Sequence, residues 1–426
     1  MASPLRIHRM RVAQEAAGAA NFAQELSGSI GSFLDVQHKG PAFASLPREM
    51  LANEALVQRH FQTRLSVPGA KMPEISIDTY MTPTGAALID NVYTGSPPSD
   101  PTFALGVILQ TILGGYLTEE GSTEDAVAAS TPSEITVATG HGTRFVAGGV
   151  AGFTVGGAVQ ARQLLDVTGD VLKPTMALSA APTDAGIVYN AHNFYLRSLG
   201  AATKALQLIV ESEDRDDLHW LLGLQAQSLS LDFSLRQLVG LALQLKGADW
   251  LQDDSVGSPL GGGALAAGTL TDGDPIPALD GECLFGPAPT GAAAATLASV
   301  DASAVAISPQ ISHREVSAPG GVNGVRRWEL DIKPEMATCE LTLPSESGII
   351  KTLETARDAK TAYMLAYQQN NVGGSTAFVT LPRLQITDVQ PSDSSGTRGV
   401  KVSARALEND VATTDIGRSP MVISLL

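Results

Sequence analysis

The acidic run Glu211–Asp217, in which carboxylates occupy most positions, is the stretch of this chain whose residue types best suit chemistry. Clustered carboxylate oxygens are the ligands that Ca²⁺ prefers, but the run lacks the spacing of an EF-hand loop. A solvated loop between two strands is the alternative. The same carboxylates could serve a glycan-acting enzyme, yet we find no isolated acid and base of the kind that glycoside hydrolysis requires. We therefore predict no enzymatic activity.

Other reactive residues are scattered along the chain. No histidine has the HxxxH or HExxH spacing of a zinc site; the histidines are His8, His38, His60, His141, His192, His219 and His313. The segment Gly148–Gly157 is rich in glycine but lacks the lysine of a phosphate-binding loop. Cys283 and Cys339 have no CxxC spacing and predict two reduced, buried thiols. We predict no catalytic residue, no metal site and no cofactor.

Composition restricts the class of protein. The chain has 426 residues, enough for two or three domains. Charged residues make up only 17%, which is typical of subunits whose surface faces neighbours in an assembly. The formal net charge is −16, and the longest basic grouping is Arg326–Arg327, so a nucleic-acid-binding patch is not predicted. An acidic surface repels DNA, and it also simply keeps a protein soluble. The start has no signal-peptide pattern, and no apolar run is long enough for a membrane helix.

Two β-hairpins with matching patterns are the strongest structural signal. The first joins Gln227–Leu235 to Val239–Asp249, and the second joins Pro382–Gln390 to Arg398–Glu408. Apolar residues alternate in each second strand, which predicts strands with one buried face. Their occurrence in both halves predicts two copies of one β unit.

The surrounding elements divide the chain into four segments. We predict an N-terminal arm over residues 1–66, a first β domain over 67–250, a Gly-, Ala- and Pro-rich linker or insertion over 251–300 and a second β domain over 301–426. The fold class is therefore mainly β, with a flanking helix in each domain. We expect the arm to dock on a neighbouring subunit.

Several further elements are predicted within these segments. Spacing predicts helices over Phe103–Leu113 and Ile349–Tyr367 and a weak helix over Arg11–Leu26. Strands are predicted over Glu74–Met81, Glu134–Thr139, Thr143–Val146, Gly152–Val155, Gln163–Val167, Asn193–Ser198, Leu206–Glu211, Val305–Val316 and Pro420–Leu426. Val325–Ile332 and Thr338–Leu343 are predicted to pair.

The sequence resembles the major tail tube proteins of long-tailed bacteriophages. The resemblance rests on Pro73–Thr79 followed by Phe103–Gly115, on Leu224–Asp249, on Val305–Leu343 and on Thr380–Leu426. It implies β-sandwich or barrel domains whose hairpins join neighbouring subunits into a ring-shaped barrel. Stacked rings would form the tube that conducts DNA during ejection.

The duplication departs from single-domain members of that family. Two tube domains per chain predict a trimer with a pseudo-hexameric ring, and a hexamer of chains is the alternative. We predict that the polar residues of the hairpins face the lumen, and these are Ser228, Ser230, Asp232, Gln244 and Lys246 with the counterparts Arg383, Gln385, Thr387, Lys401 and Ser403. Both charge signs occur in this set.

The resemblance also implies partners and a location. The partners would be copies of the chain itself, other tail proteins and DNA that passes without specific binding, with no membrane partner. The protein would be assembled in the host cytoplasm and would end in the virion tail. A virion decoration or receptor-binding β module is the alternative function.

Overall fold

The computed structural model describes most of the chain. The described residues are 5–15, 23, 33–39, 42–46, 48–51, 67–82, 100–118, 124–125, 129–183, 186–196, 204–212, 218–233, 238–253, 276, 281–290, 297–300, 304–331, 337–344, 348–372, 375–394, 397–410 and 412–426. Within them the fold is mainly β, as predicted, with antiparallel sheets and a half-barrel.

Strands dominate from one end of the described chain to the other. As far as Asp253 they are β1 (Leu5–Gln14), β2 (Leu34–Asp35), β3 (Ala42–Ser45), β4 (Arg48–Leu51), β5 (Val67–Lys71), β6 (Glu74–Tyr80), β7 (Gly114–Leu117), β8 (Glu124–Asp125), β9 (Ile135–Thr136), β10 (Val150–Val155), β11 (Ala158–Thr168), β12 (Val171–Pro174), β13 (Ile187–Asn190), β14 (His192–Leu196), β15 (Leu206–Ser212), β16 (Leu218–Phe233), β17 (Gly240–Lys246) and β18 (Asp249–Asp253).

The later strands are β19 (Glu282–Pro287), β20 (Ala298–Ser299), β21 (Ala304–Pro309), β22 (Ser312–Val322), β23 (Val325–Asp331), β24 (Ala337–Pro344), β25 (Ala362–Gln369), β26 (Ala377–Ser394), β27 (Thr397–Ala406) and β28 (Val422–Leu425). The α-helices in the described residues are α1 (Ala104–Leu113), α2 (Ile349–Asp358) and α3 (Asp415–Arg418). A 3₁₀ turn covers Gly142–Arg144.

Eight of these strands form one continuous antiparallel run, which we call the wall. Its order is β3–β6–β17–β16–β21–β24–β27–β26. Both predicted hairpins are confirmed, and β21 joins them by pairing with β16 on one edge and β24 on the other. The two halves of the chain therefore contribute neighbouring strands to a single sheet.

In the described part of the chain, ten strands and one helix recur in the same order. The first repeat is β1–β6, α1 and β15–β18, and the second repeat is β19–β24, α2 and β25–β28. Each pairing of the wall strands within the first repeat has its equivalent in the second. In the first repeat β17 pairs with β6 and with β16, and in the second repeat β27 pairs with β24 and with β26 in the same way. The short strands agree as well, since β2 pairs with β1 as β20 pairs with β19.

The registers of the two repeats agree residue by residue. In the first hairpin the register shifts between Ala226 and Ser228, and in the second it shifts between Ile386 and Asp388. These bulges align Ser228 with Asp388. A second pair of shifts agrees too, between Leu206 and Leu208 in β15 and between Tyr363 and Leu365 in β25. Bulges are specific features of a fold, so their recurrence indicates one structural plan used twice.

The first repeat carries an insertion, β7–β14, between α1 and β15. Strands β8–β13 form a separate six-stranded sheet with its own apolar cluster, which includes Phe145, Phe153 and Leu172. β7 follows α1 directly, because Gly114 adopts the left-handed conformation at φ 80° that ends the helix. β14 pairs with β7 and with β28, which fastens the insertion to the second repeat.

A single apolar cluster lies under both halves of the wall. It combines residues of α1, such as Ile108, with Leu243 of the first hairpin and Val402 of the second. Leu353 of α2 belongs to the same cluster. The helices therefore pack on one face of the wall and leave its other face to the polar residues.

The structure corrects two helix predictions. Residues 11–14 belong to β1, which pairs with β15, and residues 10–13 of that strand are all buried. Residues 16–22 and 24–26 lie outside the described part. The helix predicted to end at Tyr367 ends at Asp358. The chain then turns at Lys360 with φ 55° and enters β25, a strand between β19 and β26. Because nearly every residue of β25 is buried, it lacks the alternation that identifies a half-exposed strand.

Three strand predictions are also corrected. Val325–Ile332 does not pair with Thr338–Leu343, because β23 pairs with β22 whereas β24 pairs with β21 and β27. The single strand predicted over Val305–Val316 is two strands, β21 and β22. A 3₁₀ turn covers Thr143 and Arg144, and Phe145 and Val146 belong to no strand. The predicted helix at 103–113 and the predicted closing strand at the C-terminus are confirmed.

The predicted arm and linker each contain strands of the two repeats. β1 and β3 place part of residues 1–66 in the main sheet, next to β15 and β6. β19 and β20 fall within residues 251–300 and open the second repeat. Of residues 251–300, the structure describes 251–253 at the end of β18, Ile276, 281–290 and 297–300.

Candidate functional site

The polar face of the wall is the candidate functional site, and strand alternation creates it. Ile75 and Ile77 of β6 are buried, whereas the residues between and beside them are exposed. Leu241, Leu243 and Leu245 of β17 are buried in the same way, with Gln244 exposed between two of them. Successive side chains of a strand point to opposite faces, so burial of the apolar set places every polar neighbour on one common face.

This face is lined mainly by short polar side chains. Its exposed and half-exposed residues, in strand order, include Glu74, Ser76, Asp78, Lys246, Gln244, Ser228, Ser230, Ser308, Thr338, Glu340, Thr342, Arg405, Ser403, Lys401, Gln385, Thr387, Asp388 and Gln390. The residues line up across the strands: Ser76 pairs with Gln244, which pairs with Ser228, and Glu340 pairs with Ser403, which pairs with Asp388. Hydroxyl and amide groups therefore alternate with charged groups.

The positive charges on this face have nearby acidic or polar partners. Lys401 Nζ lies 3.0 Å from Glu340 Oε2. Arg405 Nε and Nη2 donate to Gln385 Oε1 at 3.0 and 2.7 Å. Lys246 stands directly opposite Glu74 in the register of β17 and β6. Of these three cations, Lys401 and Lys246 therefore stand beside carboxylates and Arg405 is bonded to a neutral amide.

Most of the lumen-facing residues predicted from sequence lie on this face. Ser228, Ser230, Gln244 and Thr387 are exposed; Lys246, Gln385, Lys401 and Ser403 are half-exposed. Asp232 takes a register position between Gly240 of β17 and Ala306 of β21. The structure thus brings together residues from two hairpins that are far apart in sequence. That this face lines a lumen stays a prediction.

Arg383 differs from the other predicted residues. It precedes the β27-paired part of β26 and forms an ion pair with Asp410 beside a cavity of about 540 Å³. It is also not the counterpart of Ser228, because the aligned bulges assign that role to Asp388. The counterparts of Ser230 and Asp232 are Gln390 and Ser392 by the same register. Sequence alternation alone gave a different alignment, since a bulge adds one residue that the alternation does not reveal.

Sequence reasoning also missed the contributions of β6, β21 and β24. Glu74, Ser76 and Asp78 stand in a strand that was predicted, yet its pairing partner was unknown. Glu340 was missed because β24 was expected to pair with β23. The alternating pattern of Thr338–Leu343 was a usable signal, since its polar positions share a face whatever the partner strand.

The other groups that could do chemistry are dispersed or buried. Among the described residues, no group of three or more His, Cys, Asp or Glu side chains could hold a metal ion. Most of the acidic run, residues 213–217, lies outside the described part; Glu211 is buried at the end of β15. Burial raises the pKa of the Cys283 thiol to about 12 and raises that of Cys339 further. No helix within the described ranges is long and apolar enough to span a membrane.

Among the described carboxyls, Glu15 has a strongly raised pKa, and its contacts are structural. Burial raises its pKa to about 7 against the effect of three hydrogen bonds. The backbone N–H groups of Ala23 and Gly223 each donate to it at 2.9 Å, and Gln207 Nε2 donates at 3.2 Å. These bonds tie β1 to β15 and β16.

Comparison with known proteins adds no relative to this description. No protein-family model matches the chain, and no curated protein matches it. The function proposed below therefore rests on the strand pairings and on the polar face.

Proposed function

We propose that this protein is a structural, self-assembling subunit of a phage tail tube, with no catalytic role. The observation that carries the proposal is the wall. Its eight strands come from two matching repeats and pair side by side in one sheet, with helices on one face and short polar residues on the other. Such a sheet forms a segment of a larger barrel, and its outer edge at β26 requires a partner. Closure into a ring of copies supplies that partner.

The polar face would form the lining of the tube. DNA leaving a virion has to slide without adhering, and cations are the groups that hold phosphates. The lining is rich in hydroxyls and amides, and its Lys401 and Lys246 stand beside Glu340 and Glu74. The negative net charge of −16 acts in the same direction by repelling DNA. DNA would be a passing partner, and other tail proteins would contact the ends of the tube.

The two repeats set the stoichiometry of the proposed ring. Because they share pairings and bulges, each would occupy one of six equivalent positions, so three chains would complete a pseudo-hexameric ring. Contacts between stacked rings are heterologous and do not close, so they would extend into a filament. The protein would act in the virion tail after assembly in the host cytoplasm.

A virion decoration or receptor-binding module is the second candidate. The observation in its favour is the insertion, whose six-stranded sheet has its own apolar cluster and is absent from the second repeat within the described residues. That function would require a small oligomer with this sheet exposed.

Negative-stain electron microscopy of the purified protein tests the proposal. We expect stacked rings or hollow tubes. A particle that stays monomeric at every protein and salt concentration would contradict tube formation and favour the second candidate.

The role of the polar face requires its own variant. Ser228→Arg with Gln244→Arg places unpaired cations on that face, and we expect its tubes to retain short duplex DNA that wild-type tubes release. Thr352→Arg with Thr355→Arg adds the same charge to exposed positions of α2 and serves as the matched control. Equal retention by both variants would contradict a lumen lined by the polar face.

A further inference from the structure

The two repeats meet at a short strand pairing, which we call the internal joint. Leu231, Asp232 and Phe233 of β16 pair with Ile307, Ala306 and Val305 of β21. This joint links the last wall strand of the first repeat to the first wall strand of the second. It therefore shows how one repeat binds the next.

The equivalent edge of the first repeat belongs to β3. Gln244 and Ser403 hold equivalent register positions in the two hairpins, and they pair with Ser76 and Glu340, so Ser76 and Glu340 are equivalent too. Phe43 pairs with Ser76, and Ala306 pairs with Glu340. Residues 42–44 thus correspond to residues 305–307. Their outer edge is covered by β1 of the same chain, with Leu5 opposite Ala44, Arg6 opposite Phe43 and Ile7 opposite Ala42.

The equivalent edge of the second repeat belongs to β26. Aligned through the bulges, Pro391, Ser392 and Asp393 correspond to Leu231, Asp232 and Phe233. β26 pairs with β25 only as far as Gln385, and from Ile386 to Ser394 its one strand partner among the described residues is β27. Its outer edge there is open in the described structure, and a proline on it is typical of an edge strand.

We propose that this open edge of β26 pairs with β3 of a second copy, in the register of the internal joint. Pro391, Ser392 and Asp393 of one copy stand opposite Ala44, Phe43 and Ala42 of the next. Leu5–Ile7 occupy that place in the free chain and are displaced. The rest of β1 stays in place during the exchange, because its pairing with β15 continues from Arg9 to Gln14.

The exchange keeps the β3 edge of a free chain covered until copies join. An unpaired strand edge is a template for aggregation, and covering it is a common protection. Here the cover is three residues long, matching the length of the internal joint. The inference rests on the proposed function, since it names the contact by which copies would join into a ring.

A reversible disulfide between β1 and β3 tests whether Leu5–Ile7 are displaced during assembly. Arg6→Cys with Phe43→Cys places two thiols on directly opposite positions, where antiparallel Cα atoms are about 4.5–5.5 Å apart and a disulfide fits. We expect the oxidised variant to form at least tenfold fewer rings than the wild type and to recover on reduction. Cys283 and Cys339 do not interfere, because both thiols are buried.

The matched control places a disulfide across the internal joint, a strand pairing that is kept during assembly. Asp232→Cys with Ala306→Cys bridges the equivalent positions of the internal joint. We expect this variant to assemble equally well when oxidised and when reduced. Assembly of the oxidised Arg6–Phe43 variant at the control's level would overturn the displacement while leaving tube formation intact.

A cross-link between copies tests the register. Ser392→Cys with Phe43→Cys should give a ladder of covalent oligomers on a non-reducing gel. Ser392→Cys with Ser45→Cys, two positions out of register, should give at least tenfold less. Equal ladders would overturn the register. A wild-type protein that forms no rings at all would instead contradict the proposed function itself.

Discussion

The first and second repeats share their strand pairings but bury their helices to different extents. All ten residues of α1 are buried, whereas in α2 only Leu353 and Ala356 are buried. The insertion accounts for the difference, because β7 and β14 contact α1 in addition to β1 and β16. Among the described residues, α2 has no such cover, and it carries charged residues on its outer face. The pairing plan is therefore independent of what packs outside it, and each helix sequence matches its own surroundings.

Truncating one isoleucine in each helix tests the difference in burial between α1 and α2, and it has the largest expected effect on stability. Ile108 of α1 is fully buried, and Ile350 of α2 is half-exposed. Ile108→Ala should lower the free energy of unfolding by about 4 kcal/mol, within the usual range for a buried cavity, and Ile350→Ala by about 1 kcal/mol. Urea unfolding measures both losses. Equal losses would show that the two helices are covered alike.

Acid should destabilise the protein through one buried histidine in the insertion and one in the second repeat. Burial lowers the pKa of His192 and of His313 to about 4. The unfolded chain binds these protons below pH 6.5 while the folded chain does not, so stability is lost as the pH falls from about 6.5 to 4. The loss should reach about 3 kcal/mol for each histidine.

His313→Gln isolates one of these contributions. His313 Nδ1 lies 3.0 Å from the carbonyl oxygen of Ala226, and a glutamine amide keeps a donor without titrating. Urea midpoints at pH 7, 5.5 and 4.5 should fall less steeply in the variant. An unchanged slope would exclude His313 as a source of the acid sensitivity.

Removing one hydrogen bond tests how the β22–β23 hairpin holds the first repeat. The buried Trp328 donates from Nε1 to the carbonyl oxygen of Gly223 at 2.7 Å. Trp328→Phe leaves that oxygen without this donor and should cost about 2 kcal/mol in urea unfolding. Trp250→Phe, at a half-buried position, is the control. A loss no larger than the control's would show that the bond does not fasten the hairpin.

The smallest effect is expected from the ion pair on the polar face. Lys401 and Glu340 are about half exposed, and exposed pairs contribute about 0–1 kcal/mol. Lys401→Met should therefore leave the urea midpoint nearly unchanged. A loss above about 1 kcal/mol would indicate that the polar face stabilises the wall and is not solely a surface for function.

Regular patterns allowed much of the wall to be predicted from the sequence. The alternation in Leu241–Leu245 and in Val400–Ala404 identified both hairpins, and the apolar run ending at Gly114 identified α1. Most polar positions of the hairpins followed from the same alternation, Arg383 excepted. These features depend on local periodicity, which one sequence contains.

What could not be predicted depends on contacts between distant segments. β25 is buried on both faces, so its sequence resembles a continuation of α2. The pairing of β21 with β16 joins residues that no local pattern connects. The bulges at Gln227 and Thr387 shift the alternation by one residue and conceal the true alignment of the two hairpins.

Native mass spectrometry of isolated rings tests the equivalence of the two repeats most directly. If each repeat fills one of six positions, a ring contains three chains of 44.2 kDa. Six chains per ring would contradict that equivalence, since each chain would then fill a single position in spite of its two matching repeats.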